Sequence, residues 1–136
     1  MNVYVLDTNI ISYYLRGNEV VTNNIFHALA NGHSVIVAPI AYYEIKRGLL
    51  AINANERLNE FDKLCNLFGV GVLDNSILDV AAGIYAELKL TKRKVEDADI
   101  FVAAFCKCWK FWLVTNKTWH FAHIKGLTIL DWTKQI

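Results

Sequence analysis

Four acidic side chains stand where short apolar runs give way to amphipathic stretches: Asp7, Glu44, Asp97 and Asp99. Asp7 directly follows Val3-Tyr4-Val5-Leu6, and Glu44 comes soon after Val35-Ile36-Val37-Ala38 and Pro39. Asp97 and Asp99 open the stretch Ala98–Trp109, and Thr115-Asn116 closes the apolar run from Phe111. Carboxylates that converge without basic partners repel one another and persist only if protonated or neutralised by a cation. Oxygen-only ligands favour a hard cation, Mg²⁺ or Mn²⁺. Such an ion activates water and stabilises charge on phosphate during in-line attack, and a pair of ions roughly 3.5–4 Å apart does both. The chemistry suggested is phosphodiester hydrolysis. Each acid also has a simpler reading. Asp7 or Asp97 alone would serve as a helix N-cap, Asp99 would complement a helix dipole, and Glu44 would face solvent.

The elements that must position these acids decide between the readings. Val3–Leu6, Val35–Ala38, Val70–Leu73, Phe111–Thr115 and Leu127–Leu130 read as five buried strands. Helical patterns run over Ile10–Leu15, Val20–Ala30, Ile40–Ala51, Glu56–Leu67, Ser76–Leu88 and Ala98–Trp109, the last with Asp97 as its N-cap. Asp7-Thr8-Asn9 supplies capping chemistry for the first helix, and Pro39 suits a first helical turn. Strands alternating with such helices imply βαβ units and a mostly parallel sheet covered on both faces. The expected class is therefore α/β, three layers with a central, mostly parallel five-stranded sheet flanked by helices. Ligands of open sheets of this kind sit beyond the carboxyl ends of the strands. The four acids, from three distant segments, fall at that edge.

A length of 136 residues fits one domain, 1–136, and 54% hydrophobic residues suffice for a sizeable core. The formal net charge of +1 excludes a globally cationic nucleic-acid binder but not local basic patches. Cys65, Cys106 and Cys108 do not read as a disulfide framework; Cys106 and Cys108, two apart in one helical stretch, read as core thiols rather than metal ligands, and reducing conditions suit them. No signal peptide is visible, and no apolar stretch approaches the ~20 residues that span a bilayer. A cytoplasmic protein without membrane association is expected.

Four blocks together resemble the PIN family, and within it the VapC toxins. They are Val5-Leu6-Asp7-Thr8-Asn9, then Pro39-Ile40-Ala41-Tyr42-Tyr43-Glu44-Ile45-Lys46-Arg47-Gly48-Leu49, then Val95-Glu96-Asp97-Ala98-Asp99-Ile100-Phe101-Val102-Ala103-Ala104, and last Leu113-Val114-Thr115-Asn116 with His120-Phe121, Gly126-Leu127 and Asp131-Trp132. The resemblance covers essentially the whole chain in the expected order. It implies a PIN-like fold, metal binding by Asp7 and Asp99 with support from Glu44, and Asp97 as an accessory acid or cap. Asp99 is preferred over Asp97 because it directly precedes the Ile-Phe-Val-Ala-Ala run. The resemblance further implies an Mg²⁺-dependent endoribonuclease (Mn²⁺ as the other candidate ion) that leaves a 3′-hydroxyl and a 5′-phosphate. It implies a homodimer, silencing by a small VapB-like antitoxin, and tRNA or ribosomal RNA as target.

One position departs from the pattern. Many relatives carry Asp or Asn two residues after the threonine of the last block, where this chain has Lys117. Asn116 or Thr115 is left to fill the fourth polar position, while Lys117 either lowers metal affinity or contacts the scissile phosphate. Lys46, Arg47, Lys92, Arg93 and Lys94 are candidate phosphate contacts beside Thr8, Thr115 and Lys117, and the alternative for the Lys92–Lys94 run is a solvated loop. Tyr13, Tyr14, Tyr42 and Tyr43 either stack on bases or pack in the core or a dimer interface. Trp109, Trp112, Trp119 and Trp132 read as packing residues, and His120 as a turn or RNA contact rather than a transition-metal ligand. Two further functions compete with the nuclease. Lys117 motivates a non-catalytic RNA-binding module on the same fold. Asp74, Thr115 and Lys117 loosely fit a phosphoacceptor switch, which leaves Asp97 and Asp99 unexplained.

Overall fold

The computed structural model describes residues 1–135. Its elements run β1 (Val3–Leu6), α1 (Thr8–Leu15), α2 (Glu19–Ala30), β2 (Ser34–Val37), α3 (Pro39–Ala51), α4 (Asn55–Phe68), α5 (Asn75–Leu90), α6 (Asp97–Trp109), β3 (Trp112–Val114), α7 (Thr118–Phe121) and β4 (Thr128–Leu130). The strands lie in the order β2-β1-β3-β4, and every pairing is parallel. Parallel neighbours need crossover connections, and the helices between the strands provide them.

Hydrophobic burial sets the layers. Val5, Leu6, Val37, Leu113 and Val114 are fully buried in the sheet. Ile10 and Ile11 of α1, Val21 and Ile25 of α2, Phe61 of α4, Ile77 of α5 and Ala103 and Ala104 of α6 join them in one core cluster. The register places Leu6 opposite Val37 and Val114, with Val114 opposite Leu130. Four strands therefore end level, and Asp7, Ala38 and Thr115 leave the sheet together.

The fifth strand expected at Val70–Leu73 is not formed; the sheet has four strands among the described residues. The segment makes a single parallel bridge, Val70 with Val37. The Val37 amide donates to the Gly69 carbonyl at 3.0 Å, and the Gly71 amide donates to the Val37 carbonyl at 2.9 Å. The chain then turns away toward α5. Gly69 enters at φ 83°, a conformation glycine adopts without steric cost. Gly71 lies against the buried ring of Phe105, where an added Cβ would fall 2.5 Å from Phe105 Cζ.

Other expectations also change. Asp97 is the first residue of α6, and Glu96 occupies the cap without a side-chain bond. Cys106 is buried, but Cys65 is only partly so and Cys108 is exposed. Burial pushes the Cys65 thiol up to about 11 and the Cys106 thiol further in the same direction, so neither supplies a thiolate at neutral pH. Trp132 is buried and Trp112 partly so, whereas Trp109 and Trp119 are exposed rather than packed. Among the described residues no helix is long and apolar enough to cross a membrane.

Gly71→Ala is expected to destabilise the fold by about 1–3 kcal/mol, the usual cost of overpacking. Urea denaturation checks this; an unchanged midpoint would show that the Phe105 ring yields freely.

Candidate active site

The edge where the strands end is built around Asp7. It follows β1 and caps α1 in extended conformation, at φ −74° and ψ 163°. Its own amide donates to the Val114 carbonyl at 3.0 Å, which carries the β1–β3 pairing one residue past the strands. Asp7 is 2% exposed, and a carboxylate so buried requires hydrogen bonds to persist. Oδ1 accepts from the Thr8 amide at 2.9 Å. Oδ2 accepts from the Thr115 hydroxyl at 2.8 Å and from Asn9 Nδ2 at 3.1 Å.

Thr115, fully buried, is the hub of this network. Its hydroxyl donates to Asp7 and accepts from Asn9 Nδ2 at 3.2 Å and the Lys117 amide at 3.1 Å. Its amide donates to Leu130 in β4 at 2.9 Å. Asn9 closes the ring, because its Oδ1 accepts from the Asn116 amide at 3.0 Å. Asn116 Nδ2 reaches the Tyr13 hydroxyl at 3.4 Å. Thr115 and Asn116 thus support the edge.

Asp99 enters from the first turn of α6, 8% exposed, on the face opposed to the exposed Asp97. The acids do not converge without basic partners, contrary to the expectation from sequence. Lys117 Nζ lies 3.2 Å from Asp99 Oδ1 and 3.3 Å from Oδ2. His120 Nε2 lies 2.9 Å from Asp99 Oδ2. Burial raises the Asp7 carboxyl above its ordinary value, and the charge of Asp99 adds to this; the Thr115 hydroxyl, the Lys117 ammonium and the Thr8 amide pull the other way without cancelling it.

Glu44 reaches the Asp7 edge through Thr8. Its Oε1 accepts from the Thr8 hydroxyl at 2.6 Å, and both residues line a cleft with Ser12, Arg16 and Arg57. Among the described residues no three His, Cys, Asp or Glu side chains gather closely enough to hold one ion. Glu44 is therefore linked to Asp7 through Thr8, whose hydroxyl it holds while the Thr8 amide bonds Asp7.

The cations divide into two groups. Lys46 donates to the Tyr42 hydroxyl at 3.0 Å and pairs with Asp62 at 3.6 Å, and the Arg47 guanidinium lies 5.0 Å from the Tyr43 ring centroid. Both are thus engaged on α3 and α4. Lys92, Arg93 and Lys94 lie exposed in the loop before α6. Arg93 and Lys94 line a cleft of about 600 Å³ with Tyr85, Leu88, Asp97 and His120. Arg93 is steadied by His123, 2.9 Å away. Tyr85, 51% exposed, presents a ring in this cleft. The cleft reaches His120 and so adjoins Asp99.

Tyr85 escapes sequence reasoning, and His120, read from the sequence as a turn or RNA contact, makes a contact with Asp99 that the sequence did not announce. The signal available for His120 was its place five residues past the strand-ending Thr115, but α7 is a single turn and leaves no periodic pattern to align it.

A family model described as PIN domain matches residues 4–125. Among solved structures, the chain is similar to one from the VapBC2 complex of Rickettsia felis bound to a promoter DNA fragment. The TM-score is 0.88 and identity 20%, with 96% of this chain and 98% of that chain covered. A chain of VapBC-1 from nontypeable Haemophilus influenzae gives 0.86 at 24% identity, covering 97% and 99%. A member of the VapBC family of toxin-antitoxin systems, VapBC-5 from Mycobacterium tuberculosis, gives 0.72 at 19% identity, covering 96% and 99%. No curated protein matches the chain by sequence.

Two outcomes are expected from this geometry. Thr115→Val keeps the shape but leaves Asp7 and the Lys117 amide short of a partner, so stability should fall by about 1–3 kcal/mol in urea titration. A shift within error would show that water replaces the hydroxyl. The second concerns pH. Asp7 titrates above its ordinary 3.8 when folded. The stability tied to its protonated form is therefore fully present below that value and lost as pH rises through the folded one. In chelator-containing buffer, the parent should weaken relative to Asp7→Asn as pH rises from about 4 toward neutrality. A difference independent of pH would contradict the burial effect.

Proposed function

The chain belongs to the PIN domain family, and we propose that it is a metal-dependent endoribonuclease acting as the toxin of a toxin–antitoxin pair. The observation that carries the catalytic reading is the pairing of Asp7 and Asp99 at the carboxyl edge of a parallel sheet, where such folds place their chemistry. The likeness to chains from VapBC complexes supports a small VapB-like antitoxin as partner, and a homodimer is part of the same proposal.

The donor set fits a hard divalent cation. Asp7 and Asp99 offer oxygen ligands, and burial disfavours the charged form of Asp7 by more than its hydrogen bonds and Lys117 offset, a cost that a bound cation would reduce. Asp7 and Asp99 would hold Mg²⁺ or Mn²⁺, with Glu44 acting only through Thr8. A cation there supplies charge stabilisation at the phosphate and acidifies water. The remaining work falls to the protein. Thr115, Asn9 and the Thr8 amide fix both Asp7 oxygens, so the carboxylate does not reorganise during the reaction. His120 orients Asp99 from the other side. Arg93 and Lys94 hold backbone phosphates along the cleft, and Tyr85 offers a face for an unpaired base.

The second reading, a non-catalytic RNA-binding module, is favoured by Lys117, whose charge opposes that of Asp99, and by His120, which already occupies one Asp99 oxygen.

Purified protein incubated with total cellular RNA and Mg²⁺ or Mn²⁺ is expected to yield discrete products. They should vanish with EDTA and in Asp99→Asn, which should still fold. Intact RNA at every metal concentration, together with retention of RNA on a filter, would overturn the nuclease in favour of the binding module.

A further inference from the structure

We propose that the Lys117 ammonium is a tethered counterion of Asp99, and that a divalent cation binds only by displacing it; this rests on the metal reading above. The contact is specific. Nζ is nearly equidistant from the two Asp99 oxygens, at 3.2 and 3.3 Å, so it stands across the carboxylate where a cation would. Its charge also acts on Asp7. The backbone holds it there: the Lys117 amide bonds the Thr115 hydroxyl, the same atom that bonds Asp7. The Phe121 ring lies under the ammonium, its centroid 5.9 Å away.

The tether is also releasable. The Lys117 side chain is 37% exposed, whereas that of Asp99 is 11% exposed. An ammonium at the rim is screened by water and swings out at modest cost, while the buried carboxylate stays. Lys117 therefore keeps two close acids tolerable in the absence of metal and makes metal binding an exchange of cations. A chain so built needs a higher metal concentration than one without the lysine. His120 does not substitute for Lys117, because it contacts one oxygen only.

The test is Mn²⁺ binding measured by the loss of the free-ion paramagnetic resonance signal, with no RNA present. Lys117→Met is expected to bind Mn²⁺ about tenfold tighter or more than the parent, since one competing unit charge a few ångströms away is gone. Lys117→Arg keeps the charge and should stay close to the parent. Lys94→Met, an exposed cation further along the cleft, should shift affinity by no more than about twofold if the effect is local rather than one of net charge. Without metal, Lys117→Met should melt below the parent and recover more on Mn²⁺ addition. Lys117→Gln repeats the measurement should the methionine variant misfold. Equal or weaker binding by Lys117→Met and Lys117→Gln, with binding still lost in Asp99→Asn, overturns this inference and leaves the metal reading standing. Tenfold tightening by Lys94→Met as well overturns the tether in favour of bulk charge. No Mn²⁺ binding by parent or variants overturns both readings.

Discussion

A carboxylate with almost no access to solvent ends the central strand, and its need for hydrogen bonds organises everything around it. An isolated buried charge costs several kcal/mol, which a small domain cannot spare. Asp7 meets that need with donors from three positions: the Thr8 amide at the start of α1, the Asn9 amide group, and the Thr115 hydroxyl beyond β3. Each donor does a second job. Thr8 ties Glu44 of α3, Asn9 receives the Asn116 amide, and Thr115 anchors the turn that carries Lys117. The edge is therefore one connected network, in which loss of a single hydroxyl is felt by several elements.

Much of this was readable before any coordinates. Apolar runs of four residues bounded by polar ones gave the strand positions, and Asp7 and Pro39 marked the starts of α1 and α3 by the chemistry of helix ends. Asp97 is exposed and Asp99 buried, a difference that follows from two positions of rotation on a helix. What escaped depended on distant partners. Val70–Leu73 has strand composition, but whether it pairs is decided by the Gly69 backbone and the Phe105 ring. Lys117 stood out as an unusual residue, yet its contact with Asp99 arises from a turn and a four-residue helix that no periodicity announces. Glu44 shares an edge with Asp7 in any parallel α/β reading; only side-chain direction shows that Thr8 stands between them.

The charge distribution follows the same logic at longer range. The formal net charge is only +1, so attraction of a polyanion must come from local placement. Arg93 and Lys94 line the cleft that ends at His120 and would provide it under the proposed function, while Lys46 and Arg47, equally basic by composition, are occupied by aromatic rings and Asp62. Under the proposed function, a cationic approach to an acidic centre would reconcile two opposed demands: the rim would draw phosphates in, and a displaceable lysine would leave the carboxylates able to take a metal.

The strand order carries a consequence for synthesis. β1 is made first yet lies between β2 and β3, and the hydroxyl that bonds Asp7 comes 108 residues later. Contacts this remote in sequence form late, because the intervening chain must be ordered before they can close. While the ribosome is still extending the chain, Asp7 has no Thr115 and Asp99 no Lys117 or His120. The two acids assemble only when nearly all of the domain has emerged. A chain abandoned before β3 consequently carries the acids but not the site, and the topology would withhold the proposed activity until this domain has been made through β3.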